Sequence, residues 1–197
     1  MASVAGIVLG AGSSRRLGRP KQTLPFGDTT LLGWVLRDVE GSSLDRVVLV
    51  VGGAADATLA AVAPARAEVA YNEAYGSGCA SSLLAGLDAA GPVDAVVLVL
   101  GDMPGVDAGL IDLVRDDWER HRPWASVTDY EGTPGHPMVF SAAAFPELRA
   151  LHGDKAVWKL LDNGPERFRR VPAGRALPLD VDTWEDYEAA LRALSRR

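Results

Sequence analysis

VAGIVLGAGSSRRLGRPK, residues 4–21, passes from a continuous apolar run into a glycine turn and then into a cluster of cations. The run Val4–Gly10 has no polar position, so it predicts a strand covered on both faces rather than one side of an open sheet. DRVVLVVGG (45–53) predicts a second strand ending in glycines, AEVAYN (67–72) a third, and DAVVLVLGDMP (94–104) a fourth that is fully apolar. Helical patterns lie between them. TLLGWVLRDVEG places Leu31, Leu32, Val35, Leu36 and Val39 on one stripe, and ADATLAAVAP forms a short helix. SGCASSLLAGLDAAG is closed by Gly91, and VDAGLIDLVRDDWERHRP is stopped by Pro123. Strands and helices alternating at this spacing predict parallel βαβ units. After Pro123 the rhythm loosens. WASVTDY and HPMVF predict two strands joined by EGTPG, and TWEDYEAALRALSRR predicts a last helix after LPLDVD. With no linker, repeat or low-complexity tract in view, the expectation is a single domain over residues 1–197, a three-layer α/β fold with a mixed, mostly parallel sheet.

The whole chain narrows the function classes. It has 197 residues, 48% hydrophobic and 23% charged, with a formal net charge of -6. An acidic chain argues against nucleic acid and against an anionic membrane surface as partners. Cys79 is the single cysteine, which excludes an internal disulfide and fits a cytoplasmic location. It is expected to pack as a small buried hydrophobe. The apolar start is followed, not preceded, by basic residues, the wrong order for a secretory signal. No apolar stretch reaches the roughly 18 residues that span a bilayer.

Against that negative balance, Arg15, Arg16, Arg19 and Lys21 stand close together, and the first acid of the chain is Asp28. Gly10-Ala11-Gly12 directly follows the first strand, where glycines let backbone N–H groups turn toward a phosphate. Two common phosphate motifs fail. A G-x-G-x-x-G fingerprint would need glycine where Arg15 stands, and a P-loop from Gly12 would need its next glycine one residue before Gly18. The loop therefore predicts a third kind of cradle, with side chains supplying the charge. Arginine forks suit the β and γ oxygens of a nucleoside triphosphate, and a lysine suits the α-phosphate. The plainer alternative is a solvated basic loop.

Ligands of open α/β sheets sit at the carboxyl ends of strands, which selects Gly10–Lys21, Gly52–Gly53, Asn72–Ser77 and Gly101–Pro104. Asp102 follows an apolar strand there and has the chemistry of a Mg²⁺ ligand. As a capping residue for the next helix, Asp107 is better placed. Asn72, Ser77, Ser81 and Ser82 are candidates to hydrogen-bond base, ribose or acceptor. Their alternatives are capping by Ser77 and small-residue packing. His136 lies beside a turn that could reach the acceptor, or is simply a turn histidine. His121 and His152 give no functional signal, and the three histidines lack metal-ligand spacing. Trp34, Trp118, Trp124, Trp158 and Trp184 are expected in the core or partly buried.

Taken in order, VLGAGSSRRLGRPKQTLPFGDTTLL, NEAYGSGCASSLLAGL, VLGDMPGVD, GHPMVF, LHGDKA and LDVDTWEDY resemble the molybdopterin nucleotidyltransferases, the MobA/MocA-like group. The resemblance runs from about residue 5 to residue 190 and is most like the cytidylyltransferase branch. It implies a Rossmann-like nucleotidyltransferase fold and transfer of NMP from a Mg²⁺-bound triphosphate, CTP or GTP, to the phosphate of a phosphorylated pterin cofactor, releasing pyrophosphate. It implies that Gly10, Ala11 and Gly12 contact the nucleotide, Arg15 or Arg16 the phosphates, and Lys21 the α-phosphate. Asp102 would bind Mg²⁺, and Asp182 would be a second metal- or phosphate-facing carboxylate. A molybdoenzyme or its chaperone would be a further partner.

At the position that separates the branches, Ala11 sides with cytidylyl transfer, while Gly10 matches neither branch. Trp184 replaces the proline usual before the last helix, where Thr183 and Asp186 still make a capping-box start. The other readings are the same chemistry with GTP, another cofactor or a sugar phosphate, and a non-catalytic chaperone that delivers cofactor. Intact Lys21 and Asp102 favour catalysis over the last.

Overall fold

Residues 2–12 and 17–195 are described by the computed structural model. Arg15 and Arg16 lie outside them.

The first apolar run forms β1 (Val4–Leu9), with Val4 and Val8 packed on one face and Ala5 and Ile7 on the other. Period-two packing with both faces apolar is what a central strand of a three-layer fold requires. A small hairpin follows, β2 (Pro25–Phe26) and β3 (Thr29–Thr30). Next come α1 (Leu31–Glu40), β4 (Arg46–Val51), α2 (Ala55–Ala61), β5 (Glu68–Tyr71), α3 (Cys79–Ala90) and β6 (Ala95–Leu100). The chain continues through α4 (Ala108–His121), β7 (Ala125–Tyr130), β8 (Thr133–Ser141), α5 (Phe145–Arg149), α6 (Ala156–Asn163), β9 (Phe168–Pro172) and α7 (Trp184–Leu194).

The main sheet has seven strands in the order β5-β4-β1-β6-β8-β7-β9. β1, β4, β5 and β6 pair in parallel, as the repeated strand–helix pattern predicts. β8 alone runs antiparallel to its neighbours β6 and β7, which makes the sheet mixed. Its reversal follows from the tight turn at Glu131 and Gly132, both at positive φ (52° and 93°). Such a two-residue turn returns the chain beside the strand it left. β9 then adds in parallel to β7.

Two apolar layers hold the sheet. Leu32, Val35 and Leu36 of α1 and Leu110, Ile111 and Val114 of α4 cover one face. Leu83 and Leu87 of α3, with Leu148 of α5 and Leu161 of α6, cover the other. A third cluster packs Leu24 and Phe26 against Val181 and Ala190, so α7 and the small hairpin stabilise each other. Asp107 caps α4 by accepting from Leu110 N, and Thr183 and Asp186 complete the capping box of α7.

Two packing expectations are corrected. Cys79 is exposed rather than buried, because it opens α3 at the sheet's edge of the crevice instead of facing the core. Trp184 is also exposed, at 42%, because it occupies the first turn of α7 outside the apolar stripe.

Candidate active site

Starting from β1, the chain builds outward through β4 to β5 and then returns by α3 to place β6 on β1's other side. That reversal opens a crevice between the carboxyl ends of β1 and β6, the usual ligand position in such sheets. The crevice has a volume of about 550 Å³. Gly10, Ala11, Gly12, Lys21, Ser82, Asp102 and Asp182 all line it.

Small residues make this geometry possible. A Cβ at Gly101 would stand 2.9 Å from the carbonyl oxygen of Leu9 and 2.7 Å from Leu32. One at Gly10 would stand 3.1 Å from the carbonyl of Val50. The strand ends therefore meet backbone to backbone. The glycine turn is tied from the side by Gln22, whose Nε2 donates to the carbonyls of Gly10 (2.9 Å) and Gly12 (2.8 Å). Gln22 is buried, in the single 3₁₀ turn that also holds Lys21. In the sequence, only its position next to Lys21 marks Gln22.

Lys21 is not a solvated surface cation. Its ammonium reaches Asp102 Oδ2 at 2.5 Å, donates to Asp182 Oδ1 at 2.9 Å and donates to the carbonyl of Val181 at 2.8 Å. Burial opposes its charge, but Asp102 and Asp182 outweigh that cost and hold its pKa above the ordinary lysine value. The basic loop and the acid after β6 thus meet directly.

Asp180 joins them. Carboxylate oxygens of Asp102, Asp180 and Asp182 lie within 4.8 Å of one another. Desolvation of the Asp180 carboxyl, then the charge of Asp102, push Asp180 up to about 7 despite the pull of Lys21. Asp102 Oδ1 is buried and accepts no hydrogen bond among the described residues. Three clustered carboxylates with one buried, unsatisfied oxygen fit a hard divalent cation. Asp182 is a candidate from the sequence and Asp180 is not, although in an extended DVD segment residues two apart project to the same side.

The remaining candidates fall into two groups. Asn72, Ser77 and Ser81 do not line the crevice; they brace the loop beside it. Asn72 Nδ2 donates to Ser81 Oγ and Ser82 Oγ, both at 2.9 Å, and Asn72 Oδ1 accepts from Ala74 N. Ser77 does not cap α3, because its hydroxyl donates to the carbonyl of Ala74 and Gly78 takes the cap position. His136 is buried inside β8, its ring edge-on to Trp158 at 5.7 Å, and does not line the crevice. Burial lowers its pKa to about 4, so the ring is neutral.

The far wall comes from the loop between α5 and α6. Asp154 lines the crevice and accepts from Cys79 N (3.1 Å), capping α3 from a distant segment. This docking needs Gly78, at φ 109°, where a Cβ would stand 2.6 Å from the backbone of Gly153. Cys79 also lines the crevice, where local burial and the charges of Asp154 and Asp102 raise its thiol pKa.

Comparison with known proteins agrees with this geometry. Residues 6–170 match the MobA-like NTP transferase domain. A probable molybdenum cofactor guanylyltransferase of Mycobacterium marinum is 35% identical, covering 96% of this chain and 94% of that one. The molybdenum cofactor cytidylyltransferase of Escherichia coli is 28% identical, covering 96% of both. Nicotine blue oxidoreductase of Paenarthrobacter nicotinovorans is 29% identical, covering 92% and 93%. Among solved structures, Rv0371c of Mycobacterium tuberculosis superposes with a TM-score of 0.89 at 40% identity, covering 97% and 98%. Its complex with manganese gives 0.79 at 36% identity, covering 98% of this chain and all of that one. With most of its length matched, the chain belongs to the MobA-like NTP transferase family.

Proposed function

We propose that the chain transfers CMP from CTP to the terminal phosphate of molybdopterin cofactor and releases pyrophosphate. The observation that carries the reading is the meeting of Lys21 with Asp102 and Asp182 beside the glycine turn. An acceptor phosphate oxygen would form a bond to the α-phosphorus as the bond to pyrophosphate breaks, and no protein nucleophile is needed. Catalysis then consists of positioning and of neutralising developing charge. The Gly10–Gly12 turn, held by Gln22, would seat the triphosphate. Lys21 would turn its ammonium from the carboxylates toward the α-phosphoryl oxygens. Asp102, Asp180 and Asp182 would hold Mg²⁺, which when bound supplies positive charge to the phosphates. Arg15 and Arg16 are proposed partners of the β and γ oxygens.

Ala11 supports CTP. A second reading, guanylyl transfer, is supported by the 35% identity to the M. marinum guanylyltransferase. Thermal-shift titrations with Mg²⁺ and CTP, GTP, ATP or UTP separate the two. A nucleotide at 100 times its Kd stabilises by about 2.7 kcal/mol. Preference for CTP, followed by pyrophosphate release with molybdopterin, is the expected result. Preference for GTP replaces the first reading with the second, and indifference to every nucleotide sinks both.

A further inference from the structure

One aromatic ring stands in the crevice, and the transfer chemistry leaves it unused. Tyr75 lines the crevice and is 43% exposed. Large apolar rings left this open inside a ligand crevice are candidates for stacking, since every planar heterocycle offers a π-face.

The ring is held by a built support. Ala74, the residue before it, is fixed at both peptide groups. Its N–H donates to Asn72 Oδ1 at 3.0 Å. Its carbonyl accepts from Ser77 N, Ser77 Oγ and Ser81 Oγ, at 2.8, 2.8 and 3.0 Å. Asn72 is itself buried and tied to α3 through Ser81 and Ser82. Behind the ring lies bare backbone. A Cβ at Gly53 would stand 2.5 Å from two carbons of the Tyr75 ring, and one at Gly52 would stand 2.8 Å from Tyr75 Cβ and 2.9 Å from Ala11 Cβ. Glycines at the end of β4 thus let the ring sit flush, at the same corner as Ala11 of the phosphate turn.

We propose that Tyr75 is the platform on which the nucleobase of the bound nucleoside triphosphate stacks. The inference rests on the nucleotide reading above and adds the residue that holds the base. A base joined through ribose to phosphates at Gly10–Gly12 arrives beside Ala11, where the ring stands. Asn72, Ser77 and Ser81 then act as positioning residues, through the loop rather than by touching substrate.

Calorimetric titrations with Mg²⁺ test this, using CTP, GTP and inorganic tripolyphosphate, which has no base. Tyr75→Ala should weaken CTP and GTP on the order of 10-fold, the loss expected of one base–aromatic stack, and leave tripolyphosphate unchanged. Tyr75→Phe should bind like the wild type, because the ring rather than the hydroxyl does the stacking. Gly53→Ala displaces only the far end of the ring and should weaken the nucleotides without lowering the unfolding midpoint. Wild-type affinity for CTP and GTP in Tyr75→Ala overturns the proposal, as does an equal loss for tripolyphosphate. A wild-type protein that binds tripolyphosphate no less tightly than CTP or GTP also overturns it, while leaving the phosphate site standing. A wild-type protein that binds none of the three overturns the nucleotide reading itself.

Discussion

The two halves of the crevice are assembled over different ranges of the chain. The glycine turn is closed locally, by Gln22 bonding to carbonyls 12 and 10 residues away. The carboxylate cluster is closed from afar, with Lys21 and Asp182 separated by 161 residues. The local half could form with its neighbouring turn. The distant half exists only when β6 and the segment before α7 have come together, and Val181 N donating to the carbonyl of Asp102 (3.1 Å) marks that junction. A short-range frame for the phosphates is therefore joined to a long-range charge cluster, and Lys21 belongs to both.

Breaking that joint should have the largest effect. Lys21→Met keeps the stem and removes the charge, and the turnover rate should fall on the order of 10²-fold, as when one electrostatic donor is lost. Steady-state assays of pyrophosphate release measure it. Normal turnover in Lys21→Met would refute the role given to the joint.

His136 belongs to neither half and sharpens the contrast from outside. Its folded pKa is about 4 against an ordinary value of 6.5. The unfolded chain therefore takes up a proton first as pH falls. The stability from a neutral His136 is present above about pH 6.5 and declines toward pH 4, by about 3 kcal/mol for this one group. Urea unfolding at pH 7 and pH 4.5 should show a smaller pH loss in His136→Asn than in the wild type, with nucleotide binding at pH 7 unchanged.

Within the charge cluster, Asp180→Asn should weaken Mn²⁺ binding on the order of 10-fold, comparable to other changes at the edge of a metal site. Isothermal titration with Mn²⁺ reads this without turnover, and an unchanged affinity would remove Asp180 from the cation site. On the local side, Gln22→Leu leaves the Gly10 and Gly12 carbonyls without their amide donor. It should cost about 1 kcal/mol of stability in urea and weaken tripolyphosphate binding. If nucleotide affinity stayed intact, the turn would hold its shape without the clamp.

These contrasts also explain what could be read in the sequence. The inner parallel strands β1, β4 and β6 are legible because both of their faces are buried, which leaves an unbroken apolar run. The caps at Asp107 and Thr183 were legible because a cap acts over three residues. Gly10, Gly12, Lys21 and Asp102 were legible because each follows a strand or stands beside one that does. β9, α5 and α6 were not assigned. β9 pairs at the sheet's edge with two exposed arginines, Arg169 and Arg170, at its centre, so its apolar signal is thin. Asp180, Asp154 and Tyr75 enter the crevice only through tertiary approach, and no local pattern marks that. Cys79 and Trp184 went the other way, because residue type suggested burial and position in the first helical turn gave exposure.

The contact of Gly78 with Gly153 has one more consequence. Its demands are unequal: a side chain at Gly78 would run into the Gly153 backbone, while one at Gly153 would point into open space and strain only its own φ of 74°. Substitutions at the two positions should therefore differ in what can compensate them. A change at Gly153 can be relieved by a residue tolerant of the left-handed region, such as asparagine. A change at Gly78 has no such relief, since the obstacle is main chain that every sequence shares. Designed variants of this loop have freedom on one side of the seam only.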